Sequence, residues 1–278
     1  MNSILERYLI SDQVCIITGG AGLLGKKHAE AVLAGNGIPV LLDISDEALQ
    51  KAQKELCERY PEAKIECFKA DITKEEELVA IRETLLDRYG HIDILINNAA
   101  NNPKMEEKSA NLGNIRFDNF PMDIWMGDIA VGLTGAFLCS KVFGKAMEDQ
   151  KKGVILNISS DLGIIAPDQR IYRKDGVKEE DQTIKPVTYS VIKHGLLGLT
   201  KYLATYWANK NIRVNAICPA GVENGQNEEF MKKLTNLVPM GRMANVEEYQ
   251  CTVLYMISEA SSYMTGSTVI IDGGRTCW

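Results

Sequence analysis

Seven short runs of apolar residues punctuate the chain, and they are apolar at nearly every position rather than at every second one. They are VCIIT (14–18), IPVLLD (38–43), KIECFKA (64–70), IDILIN (92–97), GVILNIS (153–159), IRVNAIC (212–218) and TVIID (268–272). A strand with one wet face alternates polar and apolar side chains, because successive Cβ atoms point to opposite faces. Runs without that alternation belong to strands covered on both sides, as in a parallel sheet between two helical layers. The segments between them supply the helices. Residues 23–33 read as the first, and 46–60 as the second with Ser45 as its cap. Thr73, with Glu76 three positions on, reads as a capping box opening the third. Repeated β-α units with right-handed crossovers give an α/β fold, a Rossmann-type doubly wound parallel sheet of about seven strands flanked by helices. No repeat or long linker divides the 278 residues, so a single domain is expected over 1–278.

The bulk values narrow the function. With 45% hydrophobic and 24% charged residues, the chain can build a large core without staples. A net charge of −6 and the lack of a basic patch argue against nucleic acid as a partner. No apolar run approaches the roughly 18 residues of a membrane span. The opening MNSILERYLISDQ carries Glu6, Arg7 and Asp12 where an export signal needs an unbroken apolar stretch. The seven cysteines, at 15, 57, 67, 139, 218, 251 and 277, include no CxxC pair, and several lie in apolar runs. They are expected to be reduced core residues of a cytoplasmic protein. None of the three histidines is spaced to pair with another as a ligand, so no metal site is expected.

Two polar stretches break the β-α rhythm, one from about 101 to 121 and one from about 161 to 188. Both follow strands, at the carboxyl ends where ligands bind in open α/β sheets. Insertions there suit substrate handling.

The first strand runs into Thr18-Gly19-Gly20-Ala21-Gly22-Leu23-Leu24-Gly25, and a helix follows. Glycines let the backbone turn tightly and approach a pyrophosphate, which the free N–H groups and partial positive charge of the helix start would hold. Gly19, Gly22, Leu23, Leu24 and Gly25 are therefore candidate cofactor contacts; a purely structural turn is the alternative. Asp43 ends the second strand some 18 residues after Gly25. Its carboxylate could accept from an adenosine ribose diol and would repel the extra phosphate of NADP. The residues after it, Ile44, Ser45 and Asp46, include no arginine. NAD is the expected cofactor, although Asp43 could instead cap a helix. Asp71, with Ile72 beside it, is placed to meet the adenine edge and equally able to cap the next helix.

Tyr189 and Lys193 lie four residues apart, which on a helix puts them on one face. A free phenol ionises near pH 10, and a positive charge beside it can lower that by roughly 1–3 units. The pair could thus supply a general base near neutral pH. Alone, the same spacing also fits an ordinary amphipathic helix.

Taken together these segments resemble the short-chain dehydrogenase/reductase family, over essentially the whole chain. TGGAGLLG is similar to its nucleotide turn, and Asn97-Asn98-Ala99-Ala100 to its NNAG element. Asn157-Ile158-Ser159-Ser160 resembles the segment ending in the catalytic serine, and Tyr189-Ser190-Val191-Ile192-Lys193 its YxxxK motif. Asn215 through Gly221 resembles the turn that touches the nicotinamide, and Gly241-Arg242 with 263–274 the C-terminal signature. The resemblance implies Ser160, Tyr189 and Lys193 as catalytic residues. Tyr189 would exchange a proton with the substrate oxygen, Ser160 would hold that oxygen, and Lys193 would also hold the cofactor ribose. It further implies cofactor contacts at Asn98, Ala99, Ala100, Pro219, Gly221 and Val222. The expected activity is interconversion of a secondary alcohol and a ketone on a small polar, sugar-derived substrate, with NAD(P) as acceptor. More narrowly, TGGAGLLGK, NNAANNPK and the two insertions resemble oxidoreductases of bacterial flagellin glycosylation and acidic sugar synthesis. Alternatives are an NAD-retaining epimerase or dehydratase, or a catalytically weakened NAD-binding protein. The family pairs its long helices into a four-helix interface, and apolar residues around Leu199–Trp207 exceed one buried stripe. A homodimer or homotetramer is therefore implied.

Three features depart from the family pattern. The turn is spaced TGxxGxxG, with Leu23 where a middle glycine is usual. Gly132 stands where an asparagine usually completes the catalytic set. The interval from Ser160 to Tyr189 is long and carries Asp168, Arg170, Arg173, Lys174 and Asp175. With Lys104 and Arg116 of the first insertion, its basic residues could meet an anionic or heavily hydroxylated substrate, or form a solvated mixed-charge loop.

Overall fold

The computed structural model describes residues 3–101 and 116–278. Seven strands form one sheet: β1 (Val14–Thr18), β2 (Ile38–Asp43), β3 (Glu66–Lys69), β4 (Ile94–Asn97), β5 (Gly153–Ile158), β6 (Ile212–Pro219) and β7 (Thr268–Ile271). Their order is β3-β2-β1-β4-β5-β6-β7, and each neighbouring pair is parallel. The strands have few polar alternates because successive residues feed two separate cores. Val14, Ile16, Val40, Leu42, Leu95, Ile155 and Val214 point into one. Cys15, Ile17, Leu41, Ile94, Ile96, Leu156 and Ile217 point into the other. The first core is closed by α3 (Glu75–Tyr89), α5 (Gly135–Gln150) and α6 (Val187–Tyr206), the second by α1 (Leu23–Ala34), α2 (Asp46–Arg59) and α8 (Gln250–Ile257). The short helices α4 (Met122–Ile129) and α7 (Glu228–Thr235) complete the set.

Local details diverge from expectation at several points. Ser45 caps α2, its hydroxyl accepting from the Ala48 N–H at 3.2 Å. The capping box at Thr73 does not form. Asp71 Oδ1 takes both the Thr73 N–H (3.0 Å) and hydroxyl (2.7 Å), and α3 starts after Lys74 with no side-chain cap. Cys57, Cys251 and Cys277 are exposed rather than in the core. The helical stretch Met122–Gln150 is long and apolar enough to cross a membrane by length and composition, contrary to the expectation of no such run. Its Cys139, Val142, Phe143 and Met147 are buried against the sheet, which makes it a core element.

The sheet order reverses between β1 and β4, the position at which open α/β sheets leave a crevice at their carboxyl edge. A polar network pins that edge. Asn97 donates to Asn157 Oδ1 (2.8 Å) and Ser140 Oγ (3.1 Å), and Asn157 donates to Thr200 Oγ1 (2.8 Å). All four residues are buried, so the strand ends and two long helices are locked in one register.

Candidate active site

A cavity of about 860 Å³ opens over the carboxyl ends of the strands. Its wall includes Gly19, Gly22, Leu23, Leu24, Asp43, Asp71, Ile72, Asn98, Ala99 and Ala100 at one end. Ser160, Tyr189 and Lys193 lie further along, with Pro219, Gly221 and Val222. Gly25 is not part of this wall. A Cβ there would lie 2.2 Å from the Gly19 carbonyl oxygen and 2.8 Å from Gly20 Cα, so Gly25 lets the first turn of α1 pack on the loop. Leu42, Ile44, Ala70, Ile158 and Ala220 line the cavity without having been expected. They flank strand-end residues whose roles the motifs suggested.

The glycine turn is held from β4. Thr18 Oγ1 accepts from the Asn98 and Ala99 N–H groups, both at 3.0 Å, and the Asn98 amide donates to the Thr18 (2.9 Å) and Gly19 (3.2 Å) carbonyls. Gly19 has φ +61°, and a Cβ on it would meet Ala99 Cα at 3.0 Å, so the close approach of turn and β4 requires glycine. Gly22 is the N-cap of α1 and offers no capping side chain. The first-turn N–H groups of α1 therefore face the cavity with the positive end of the helix dipole. Asp43 closes the turn from the other side, accepting from the Ala21 and Ser45 N–H groups at 3.2 Å each. A carboxylate has further lone pairs for a ligand. Asp71 is held below the usual carboxylate range by its hydrogen bonds from Thr73.

At the far end Tyr189 stands beside Ser160, whose side chain favours the ionised phenol. Ser160 Oγ donates to Asp161 Oδ1 at 2.7 Å, and Arg275 Nη1 lies 2.7 Å from Asp161 Oδ2. The Asp161 and Arg275 side chains are both buried. Lys193 Nζ donates to the Ile158 carbonyl at 2.8 Å and stands 5.7 Å from the Tyr189 ring centroid. Lys185 Nζ is nearer, 3.9 Å over the same ring. The expected lowering of the phenol by an adjacent ammonium is not found. Burial pushes Tyr189 up, and the neighbouring Ser160 only partly offsets it. Burial also brings Lys193 down to about 8, with Lys185 adding to the effect. The i,i+4 spacing put both groups near one cavity, but desolvation is the largest influence on each.

A family model described as enoyl-(acyl carrier protein) reductase matches residues 19–276, nearly the whole chain. The chain belongs to the short-chain dehydrogenase/reductase family. These are oxidoreductases that act on CH–OH groups with a nicotinamide cofactor. This chain is 31% identical to an NAD-dependent glycerol dehydrogenase of Listeria innocua over 96% of its own length and 95% of the relative's. It is 26% identical to post-translational flagellin modification protein A of Campylobacter coli, over 96% and 99%. The structure of an NAD+-bound xylitol dehydrogenase superposes with a TM-score of 0.79 at 25% identity, covering 95% and 99% of the two chains.

Within this short-chain dehydrogenase/reductase, the departures have physical causes. Gly132 sits in one turn of π-helix, Ala130–Thr134, between α4 and α5. A Cβ there would lie 2.7 Å from Ile192 Cγ2, so an asparagine cannot enter unless Ile192 moves. The segment after Ser160 is folded. Ile171 packs with Leu234 and Met243, and the Tyr172 ring stands 5.5 Å from Phe230 of α7. Gln182 bridges the Lys174 N–H and carbonyl and the Val177 carbonyl. Ile171, Tyr172, Arg173, Lys174, Thr183 and Lys185 thereby join the cavity wall. Of the charges singled out earlier, Arg170 pairs with Asp168, while Arg173 and Arg116 both meet Glu179. Lys104 falls outside the described residues. Sequence reasoning missed Asp161, Lys185 and Arg275, which no local motif marks.

Proposed function

We propose that the protein is an NAD-dependent dehydrogenase that interconverts a secondary alcohol and a ketone on a small, polyhydroxylated, sugar-derived substrate. The observation that carries this reading is that Ser160, Tyr189 and Lys193 share the wall of one cavity with the glycine turn and Asp43. The α1 N-terminus suits a pyrophosphate, Asp43 a ribose diol, and Lys193 the nicotinamide ribose. When bound, the nicotinamide supplies the acceptor for the hydride that leaves the carbinol carbon. To take the hydroxyl proton in oxidation Tyr189 Oη must be ionised, and against the burial that opposes this the positive charge of a bound oxidised nicotinamide would add to that of Lys193; in reduction the phenol returns the proton, while Ser160 holds the reacting oxygen. Asp43 supports NAD over NADP, because a 2′-phosphate would face a carboxylate already fixed by two backbone N–H groups. Polar side chains on the cavity wall, among them Ser160, Thr183, Asn224 and Gln226, could bind a polyol or sugar, in keeping with proteins named for glycerol and xylitol.

We further propose a homo-oligomer, assembled through the exposed Phe137 of α5 and Val191, Tyr202 and Tyr206 of α6, working in a reducing cytoplasm that leaves its thiols unpaired. The test is a panel of polyols and sugars with NAD or NADP, followed by nicotinamide absorbance, in wild type and Tyr189→Phe. Turnover should be at least tenfold better with NAD. The variant should lose turnover on the order of 10³-fold or more while retaining NAD binding. Full activity in Tyr189→Phe would end the mechanism.

A further inference from the structure

Tyr172 stands in the wall of the same cavity as Ser160, Tyr189 and Lys193, on the long segment after Ser160 that no family motif covers. It ends a short 3-10 turn, Gln169–Tyr172, which Asp168 caps by accepting from the Arg170 N–H at 3.0 Å. The residues on either side are anchored. Ile171 is buried against Leu234 and Met243, and the Arg173 carbonyl accepts from Lys233 Nζ at 2.6 Å. The Tyr172 ring packs on Phe230, 5.5 Å between centroids and tilted by 38°, and Phe230 also lines the cavity. Ring and backbone are thus fixed from two elements, the insertion and α7. The hydroxyl end is not engaged in this way: no group among the described residues hydrogen-bonds it. Tyr189, Asp161 and Arg275 are near enough for their charges to bear on its ionisation, which sets that hydroxyl toward the reacting groups. Burial raises its pKa, so the phenol stays protonated.

We propose that Tyr172 selects the substrate by hydrogen-bonding a second hydroxyl group, on a carbon other than the reacting carbinol. This deepens, and rests on, the alcohol–ketone reading given above. A neutral phenol both donates and accepts, so it can pair with a hydroxyl in either sense. A substrate drawn into the cavity displaces the water around that phenol. A polyol replaces the lost hydrogen bond with one of its own, whereas a simple alcohol of the same length leaves the hydroxyl stranded in a partly dry wall. Stranding a polar group costs more than pairing it gains, so a site built to meet a substrate hydroxyl turns away the analogue that lacks it. The fixed ring matters for the same reason. A phenol free to swing into solvent would escape the penalty and lose the discrimination, and the packing of Phe230 and Ile171 prevents that. Tyr172 therefore separates polyhydroxylated substrates from simple secondary alcohols, while Ser160 and Tyr189 handle the oxygen common to both.

The experiment compares five- and six-carbon alditols with 2-pentanol and 2-hexanol, and inositol with cyclohexanol, in wild type and Tyr172→Phe. That change removes one oxygen and keeps a ring against Phe230. One readout is kcat/KM with NAD. The other is calorimetric binding of the same compounds in the presence of NADH. Wild type should favour the polyols by about tenfold or more. Tyr172→Phe should lower the polyol-to-alcohol ratio by about 10- to 100-fold, and from both sides: polyols lose a partner, and simple alcohols improve because no hydroxyl is stranded. An equal loss on both classes would overturn the proposal and leave Tyr172 a structural neighbour of Tyr189. A wild type with no preference for polyols, or a ratio unchanged in the variant, would overturn it too, with turnover of either class leaving the alcohol–ketone reading intact. If no compound turns over, that reading fails and binding alone decides. Polyol binding that weakens in Tyr172→Phe would then sustain the hydroxyl site, and polyol binding that is absent or unaffected would end it.

Discussion

Removing Arg275 should both destabilise the protein and disturb Ser160. The Arg275–Asp161 contact is 2.7 Å, with side chains only 6% and 4% exposed. Without the guanidinium, Asp161 is a buried carboxylate held only by Ser160 and the Leu162 N–H. Breaking a buried pair by removing one partner costs about 3–5 kcal/mol, because the stranded charge stays desolvated. At about 2–4 °C per kcal/mol for a chain of this size, the melting temperature of Arg275→Met should fall on the order of 10 °C. Asp161→Asn should do the same from the other side. The double variant Asp161→Leu/Arg275→Met removes both charges and should regain most of the loss, with a coupling of about 2 kcal/mol or more. The kinetic consequence is separate. Ser160 Oγ donates to Asp161 and accepts from the Leu162 N–H, which fixes the hydroxyl beside Tyr189. With Asp161 replaced, that orientation is lost and kcat should fall about tenfold or more, measured well below the melting transition. Calorimetric melting and steady-state rates decide the matter. Single variants that each lose under 1 kcal/mol and combine additively would refute the reasoning, since they would mean that water reaches the pair.

Other outcomes follow from single contacts. Gly132→Asn should lose about 1–3 kcal/mol in chemical denaturation, because its Cβ would meet Ile192 Cγ2 at 2.7 Å. Introduced into an Ile192→Ala background, the same change should cost clearly less; an equal cost in both backgrounds would exclude this clash. Burial holds the His28 imidazole down at about 4 instead of 6.5. The unfolded chain therefore binds more protons between those values, and stability should fall by up to about 3 kcal/mol as pH drops from about 7 to 4. His28→Leu should flatten that slope in denaturant titrations at stepped pH, and an unchanged slope would place the titrating group elsewhere. Charges at Phe137 and Tyr202, which are 49% and 63% exposed, should shift sedimentation to a smaller species if these faces join subunits. A wild type that sediments as a monomer would remove that interface.

What the sequence made legible depends on how local the governing physics is. β1 and β2 run over the residues expected of them because their apolar runs are buried nearly throughout, so run and strand coincide. At β3 the expected 64–70 shrinks to Glu66–Lys69, since an edge strand pairs only where β2 reaches it. Thr73 and Glu76 satisfied a capping pattern, but Asp71 competes for the same threonine with a carboxylate two residues away and wins. That the glycine turn, Asp43, Ser160 and Tyr189 would line one cavity was readable, because the connections carrying them lie at the sheet's carboxyl edge. Their electrostatics were not. Spacing places Tyr189 and Lys193 on one helix face but says nothing of the desolvation that drives both toward neutrality.

The residues that sequence reasoning missed share one property: each meets its partner only after the chain has closed on itself. Arg275 reaches Asp161 across 114 positions, and Gln169 grips Lys185 across a folded insertion. Chemistry common to the family sits on local motifs, so resemblance can find it. The insertion, where resemblance is thinnest, brings Ile171, Tyr172, Arg173, Lys174 and Thr183 into the cavity wall. It follows that relatives matching this chain at Ser160, Tyr189 and Lys193 can differ in substrate without touching any motif. Exchanging residues 164–185 between two such enzymes, which leaves Ser160 and Asp161 in place, should transfer preference while leaving proton transfer at the phenol unchanged, as read from kcat/KM on a shared panel of substrates.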